Sequence, residues 1–240
     1  MALTHLINQI SERFEAHSDS DAAMQISKYM KDQFVFYGIK SPQRRALLLD
    51  LLIAEKNTIE KHFWDFIEYC WSHDYRDWKY IALDLLMKRA KSMEPFDIEK
   101  LRQLIIRDSW WDTVDMLATH CIGSITLRHR QIMRPVLDTW NTDSNIWIQR
   151  TSIIHQVKYR VNTDSEQLSR YILNVRDSKE FFLQKAAGWA LREYSKFNPT
   201  YVKEFVDQNV LPALTRREAL RILYKQKNWP DDFSSEPIYR

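Results

Sequence analysis

The chain runs to 240 residues, 45% of them hydrophobic, with only 3 glycines. That is enough apolar material for a sizeable core, but too little glycine for many tight hairpins or for a Gly-rich phosphate loop. Its 35 Lys and Arg against 32 Asp and Glu leave a formal charge of +3, a balance that permits nucleic-acid binding without arguing for it.

In chain order, Leu3, Leu6, Ile7, Ile10 and Phe14 recur at steps of three and four, which predicts a helix with one apolar stripe. A second helix is expected from about Ser20 or Asp21 through Met24, Ile26, Tyr29 and Met30. Gly38 breaks the chain, and Ser41-Pro42 follows as an expected N-cap with proline in the first helical position. Ala46, Leu47, Leu48, Leu51 and Leu52 carry the next helix. The later segments keep the helical period and none alternates like a strand, so the fold class reads as all-α. Cys70 and Cys121 sit in separate apolar runs and read as buried, reduced thiols suited to a reducing cytosol. The N-terminus has no basic region leading into an apolar stretch, and no run reaches transmembrane length. A soluble cytoplasmic protein is the expectation.

An internal repeat is the more informative feature. The segments RDWKYIALDLL, SWWDTVDML, NIWIQRTSII and EFFLQKAAGW open on Trp78, Trp111, Trp147 and Phe182. Four residues later stand Ala82, Asp115, Thr151 and Ala186, and the register extends to Ala219 and back to Ala46. These positions are 36, 33, 36, 35 and 33 residues apart, a period that suits helix-pair repeats stacked into a HEAT-like solenoid. An aromatic and a small residue at i,i+4 share one helical face, and small side chains let neighbouring helices approach. Asp115 is therefore the anomaly. It places a carboxylate where the equivalent positions are Ala or Thr, and such a charge either costs stability or does chemistry.

The sequence contains no H-E-x-x-H, no paired C-x-x-C and no G-x-S-x-G, and its 7 histidines lack metal-ligand spacing. No metal or cofactor is expected. Trp111 and Asp115 share a helical face, from which Trp110 and Asp112 are rotated away. Each has a plain structural alternative: Trp111 as a framework aromatic like Trp78 and Trp147, Asp115 as half of an ion pair between helices. Arg150 stands one residue before the small position, as do Arg45 and Lys185, so the three cations could form a basic stripe or simply be solvated charges. Trp189 follows Ala186 by three residues, where other repeats carry aliphatics, and could be no more than a core filler. One acid, several indoles and scattered cations suit a cationic aromatic ligand held on a polyanion.

At this point the sequence resembles the AlkD-like DNA alkylation repair glycosylases. The resemblance runs from about Met24 to Lys225 and rests on YMKDQFVFYGIKSPQRR, SWWDTVD, DSNIWIQR and SKEFFLQKAAGWALREYSKFNP. It implies a curved solenoid with a concave, basic, DNA-binding face. A single repeat domain is expected over residues 1–228, and the polar residues 229–240 read as a disordered tail. The resemblance also implies an active site of Asp115, Trp111 and Trp189, with Arg150 on a backbone phosphate and Tyr29 in the same pocket. Lys185 and Arg45 join the DNA-binding set through the repeat register.

The activity implied is monofunctional. An N-glycosidic bond to a cationic N3- or N7-alkylated purine is hydrolysed in duplex DNA without base flipping, by a chain expected to be monomeric. A HEAT-type scaffold for a protein partner, or a non-catalytic DNA binder, remains the alternative.

Overall fold

The computed structural model describes residues 2–226, and only the backbone of Lys225 and Gln226. The expected polar tail lies outside the described residues. The described residues form helices joined by short turns and 3-10 segments, and the one β-type contact is an isolated bridge between Val35 and Tyr75. They fold as two compact units, one ending at Leu85 and the other beginning at Leu86.

The first unit holds α1 (Ala2–Ala16), α2 (Ser20–Tyr29), α3 (Ser41–Ala54), α4 (Lys56–Lys61), α5 (Phe63–Ser72) and the start of α6 (Arg76–Arg89). The α1 stripe buries Leu6, Ile10 and Phe14, and Phe14 meets Trp78 edge-on at 5.8 Å between ring centroids. Helix α2 starts where its cap dictates: the Asp19 carboxylate accepts from the backbone N–H groups of Asp21 and Ala22. Its apolar residues are not a core stripe, since Met24 and Tyr29 are exposed and only Met30, just past its end, is buried.

Gly38 sits at φ 83°, and a Cβ there would fall 2.1 Å from the Asp19 carbonyl oxygen. The expected Ser41 cap is displaced by one residue. Lys40 is the extended cap and its carbonyl accepts from Arg44, so Ser41 is already helical and no side chain caps α3.

The second unit continues from the end of α6 with α7 (Ile98–Ile106), α8 (Trp111–Met116), a π-helical turn (Leu117–Ile122), α9 (Gly123–Arg128), α10 (Arg130–Asn141), α11 (Ile146–Ile154), α12 (Ser165–Asn174), α13 (Phe181–Ser195), α14 (Pro199–Gln208) and α15 (Ala213–Gln226). Within it α8 packs on α11, α11 on α13 and α13 on α15, while α10, α12 and α14 pack behind this row. Each helix of the row carries a position of the repeat register, which also runs through Ala82 of α6 in the first unit. Ala82, Thr151, Ala186 and Ala219 are buried completely, as residues that let helices touch should be. Ala46 is exposed, so the extension of the register back to α3 is a sequence match without that packing role.

Both cysteines are free and buried, and burial raises both thiol pKa values, that of Cys121 to about 12. No described helix is long and apolar enough to cross a membrane.

Candidate active site

The approach to α8 is set by a turn. Asp108 adopts φ 46°, a left-handed conformation that aspartate tolerates better than most residues. Ser109 Oγ then donates to the Ile105 carbonyl at 2.6 Å. Trp110 follows as the extended residue ahead of α8. Its rotation away from Asp115 has a structural use: its ring packs 5.8 Å from Trp147 and 5.2 Å from Phe182, which are themselves 4.8 Å apart. Two of the register's framework aromatics and Trp110 thus form one cluster between α8, α11 and α13. The sequence marks Trp147 and Phe182 for this role; nothing in it distinguishes Trp110.

The start of α11 is equally determined. Asn145 caps it, accepting from Trp147 N at 2.9 Å and Ile148 N at 3.3 Å, and Asp143 accepts from Asn145 N at 2.8 Å. That fixes Arg150 one turn in, pointed back at α8. Its Nε donates to Asp115 Oδ1 at 2.7 Å and its Nη2 to Oδ2 at 2.8 Å, while Nη1 donates to the Phe182 carbonyl at 2.6 Å. This is the bidentate fork geometry of the strong arginine–carboxylate pair. The side chains are 6% exposed for Arg150 and 16% for Asp115. Burial pushes the Asp115 pKa above the ordinary carboxylate value, and the hydrogen bonds and charge of Arg150 offset this without reversing it.

The carboxylate and the guanidinium that the sequence singles out are therefore brought together. In this structure Arg150 braces Asp115, because α11 packs directly on α8.

The remaining residues fall into place one by one. Trp111 opens α8, one turn from Asp115, and is half-buried, unlike its buried counterparts Trp78 and Trp147. Trp189 lies on α13, half-buried, with no hydrogen bond or ring partner among the described residues. It is not a sealed core filler.

Lys185 on α13 donates to Glu218 of α15 at 2.8 Å, and Arg192 bonds the same carboxylate. Burial would raise the Glu218 pKa, but these cations hold it below the ordinary glutamate value. In the first unit Arg45, 59% exposed, pairs with Asp84 at 2.8 Å, and Tyr29, 64% exposed, closes α2. Arg45, Arg150 and Lys185 are thus each paired with an acid from a neighbouring repeat, a partnership their register gave no sign of. No cluster of His, Cys, Asp or Glu among the described residues could hold a metal ion.

Two comparisons with known proteins found relatives of this chain. Residues 10–223 match the protein family described as DNA alkylation repair enzyme. The fold resembles the solved structure of a predicted DNA alkylation repair enzyme from Enterococcus faecalis, with a TM-score of 0.80 and 31% identity, over 87% of this chain and 97% of that one. No curated protein matches the sequence. With the family match spanning most of its length, this chain belongs to the DNA alkylation repair enzymes, and its role lies in DNA repair.

Proposed function

We propose that the protein is a monofunctional DNA glycosylase that hydrolyses the N-glycosidic bond of cationic N3- or N7-alkylated purines in duplex DNA. The observation that carries this is Asp115. It is a part-open carboxylate, oriented by a bidentate arginine, at a register position that is filled elsewhere by the buried Ala82, Thr151, Ala186 and Ala219.

Alkylation at N3 or N7 makes the purine a good leaving group, and its departure leaves an oxocarbenium-like sugar of the kind glycosidases stabilise with carboxylates. Asp115 opposes that charge and positions or deprotonates the attacking water. Its low-dielectric surroundings strengthen the first effect, and its raised pKa makes it a better base. Half-exposed Trp111 and Trp189 offer ring faces to the cationic nucleotide, an attraction of about 0.5–2 kcal/mol each. The family resemblance implies that the base stays in the duplex while the protein works from the backbone side, and selectivity then follows the lesion's charge and lability more than its shape.

A second reading has an observation in its favour. Arg45–Asp84 and Lys185–Glu218 are also acid–base pairs between repeats, so Asp115–Arg150 could be one more such brace in a non-catalytic DNA-binding protein.

Release of free base from duplex DNA carrying N7-methylguanine separates the two. We expect release by the wild-type protein and a rate at least about 100-fold lower for Asp115→Asn, with thermal melting establishing that the variant is folded. No release by either protein would leave the second reading standing. Equal release by both would remove Asp115 from the chemistry.

A further inference from the structure

Helices α8 and α9 and the turn between them form one unbroken helical run from Trp111 to Arg128, widened to π geometry at Leu117–Ile122. In an α-helix the residue that returns to the face of Asp115 is the fourth along; a π turn makes it the fifth. The fifth is His120.

The contacts follow that geometry. Asp115 is held by Arg150 of α11, and His120 by Lys158, which stands just beyond the end of α11, its Nζ hydrogen-bonded to His120 Nε2. Gly123 makes the approach possible, because a Cβ there would lie 2.5 Å from the His155 carbonyl oxygen. Two side-chain pairs therefore lie along one seam between the same two segments, the second about one helical turn beyond the first.

The two pairs differ in charge. Arg45, Arg150 and Lys185 each face a carboxylate. Lys158 faces only an imidazole among the described residues. With Lys158 charged, its ammonium donates and the unprotonated Nε2 of His120 accepts. Burial, and for His120 also the charge of Lys158, keep both pKa values below their ordinary levels. Lys158 is nevertheless exposed, and His120 half-buried. This is a solvent-facing cation with its counter-charge missing, beside the carboxylate proposed to act on DNA.

We infer that Lys158, steered by His120, holds a phosphate of the DNA backbone next to the Asp115 site, completing its charge balance with the substrate's anion. The inference rests on DNA being the substrate and not on the glycosylase chemistry, so the test uses undamaged duplex. The affinity of wild-type protein, Lys158→Met and Lys158→Arg is measured by fluorescence anisotropy over a range of salt concentrations. Methionine keeps the side-chain stem and removes the charge.

Loss of one phosphate contact should flatten the slope of log affinity against log salt by about 0.9, equivalent to about eight-fold weaker binding at 0.1 M salt. Lys158→Arg should keep the wild-type slope. An unchanged slope for Lys158→Met, with the variant folded by thermal melting, would overturn the proposal. So would a Lys158→Arg slope as flat as that of Lys158→Met. Base release from alkylated DNA is scored separately, so failure of the glycosylase reading and failure of this one are distinguishable.

Discussion

Asp115 and Arg150 set each other's properties. Removing the guanidinium leaves a carboxylate with little solvent and no partner, a change that typically costs about 3–5 kcal/mol when a buried pair is broken. Its consequence for chemistry is more specific. Burial is the larger influence on Asp115, raising its pKa, and Arg150 opposes it. If Asp115 must be ionised to act, base release falls as pH drops through its titration. In Arg150→Gln that acid limb should move to higher pH, because the influence that favoured ionisation is gone. The pH profile of single-turnover base release, corrected for spontaneous depurination and run where the variant remains folded, measures this. A limb in the same place for both proteins would mean that the titrating group is not Asp115.

At the scale of elements, local interactions decide where helices begin and helix packing decides what they present. Asp19 and Asn145 start α2 and α11 through side-chain caps, and the second of these determines where Arg150 points. Between α2 and α3 the chain turns at Gly38, in a conformation costly for L-residues and with backbone where a Cβ would go. Gly38→Ala should therefore destabilise the protein by more than about 2 kcal/mol, read as a lower urea midpoint at unchanged slope. A change under about 0.5 kcal/mol would mean that this turn relaxes freely. The π turn after Asp115 is the element-scale feature with the most bearing on function, since such bulges often accompany functional sites. Here it brings His120, not Thr119, round to the seam. Thr119 instead bonds the Asp115 carbonyl at 2.8 Å.

For the molecule as a whole, stability and pH are linked through a buried histidine. His155 is fully buried, with Nδ1 donating to the Ser152 carbonyl at 2.6 Å and Nε2 unpartnered among the described residues. Burial pushes its pKa from 6.5 down to about 4. As pH falls below 6.5 the unfolded chain takes up a proton that the folded one refuses. The contribution of His155 is thus complete above pH 6.5 and is lost as pH falls towards about 4, to a total of about 3 kcal/mol. Urea unfolding of wild-type protein and His155→Gln across that range should give a steeper loss for the wild type. Parallel curves would remove His155 as the origin.

Much of this was legible in the chain itself. The helical period of α1 correctly marks Leu6, Ile10 and Phe14 as core. The register also identifies Ala82, Thr151, Ala186 and Ala219 as contact positions and Asp115 as the exception. These succeed because periodicity and side-chain size act through neighbours three and four residues away, which a sequence displays directly. Where burial depends on what packs across the face, the same method fails: Met24 and Ala46 fit the pattern and are exposed. Pairing between repeats is less visible still. Nothing local to Arg150 says that its guanidinium is spent on Asp115, nor to Lys158 that its neighbour is His120, 38 residues away. The packing of α8 on α11 and one widened helical turn decide both, because they set the distances and the exclusion of water on which the strength of charges depends.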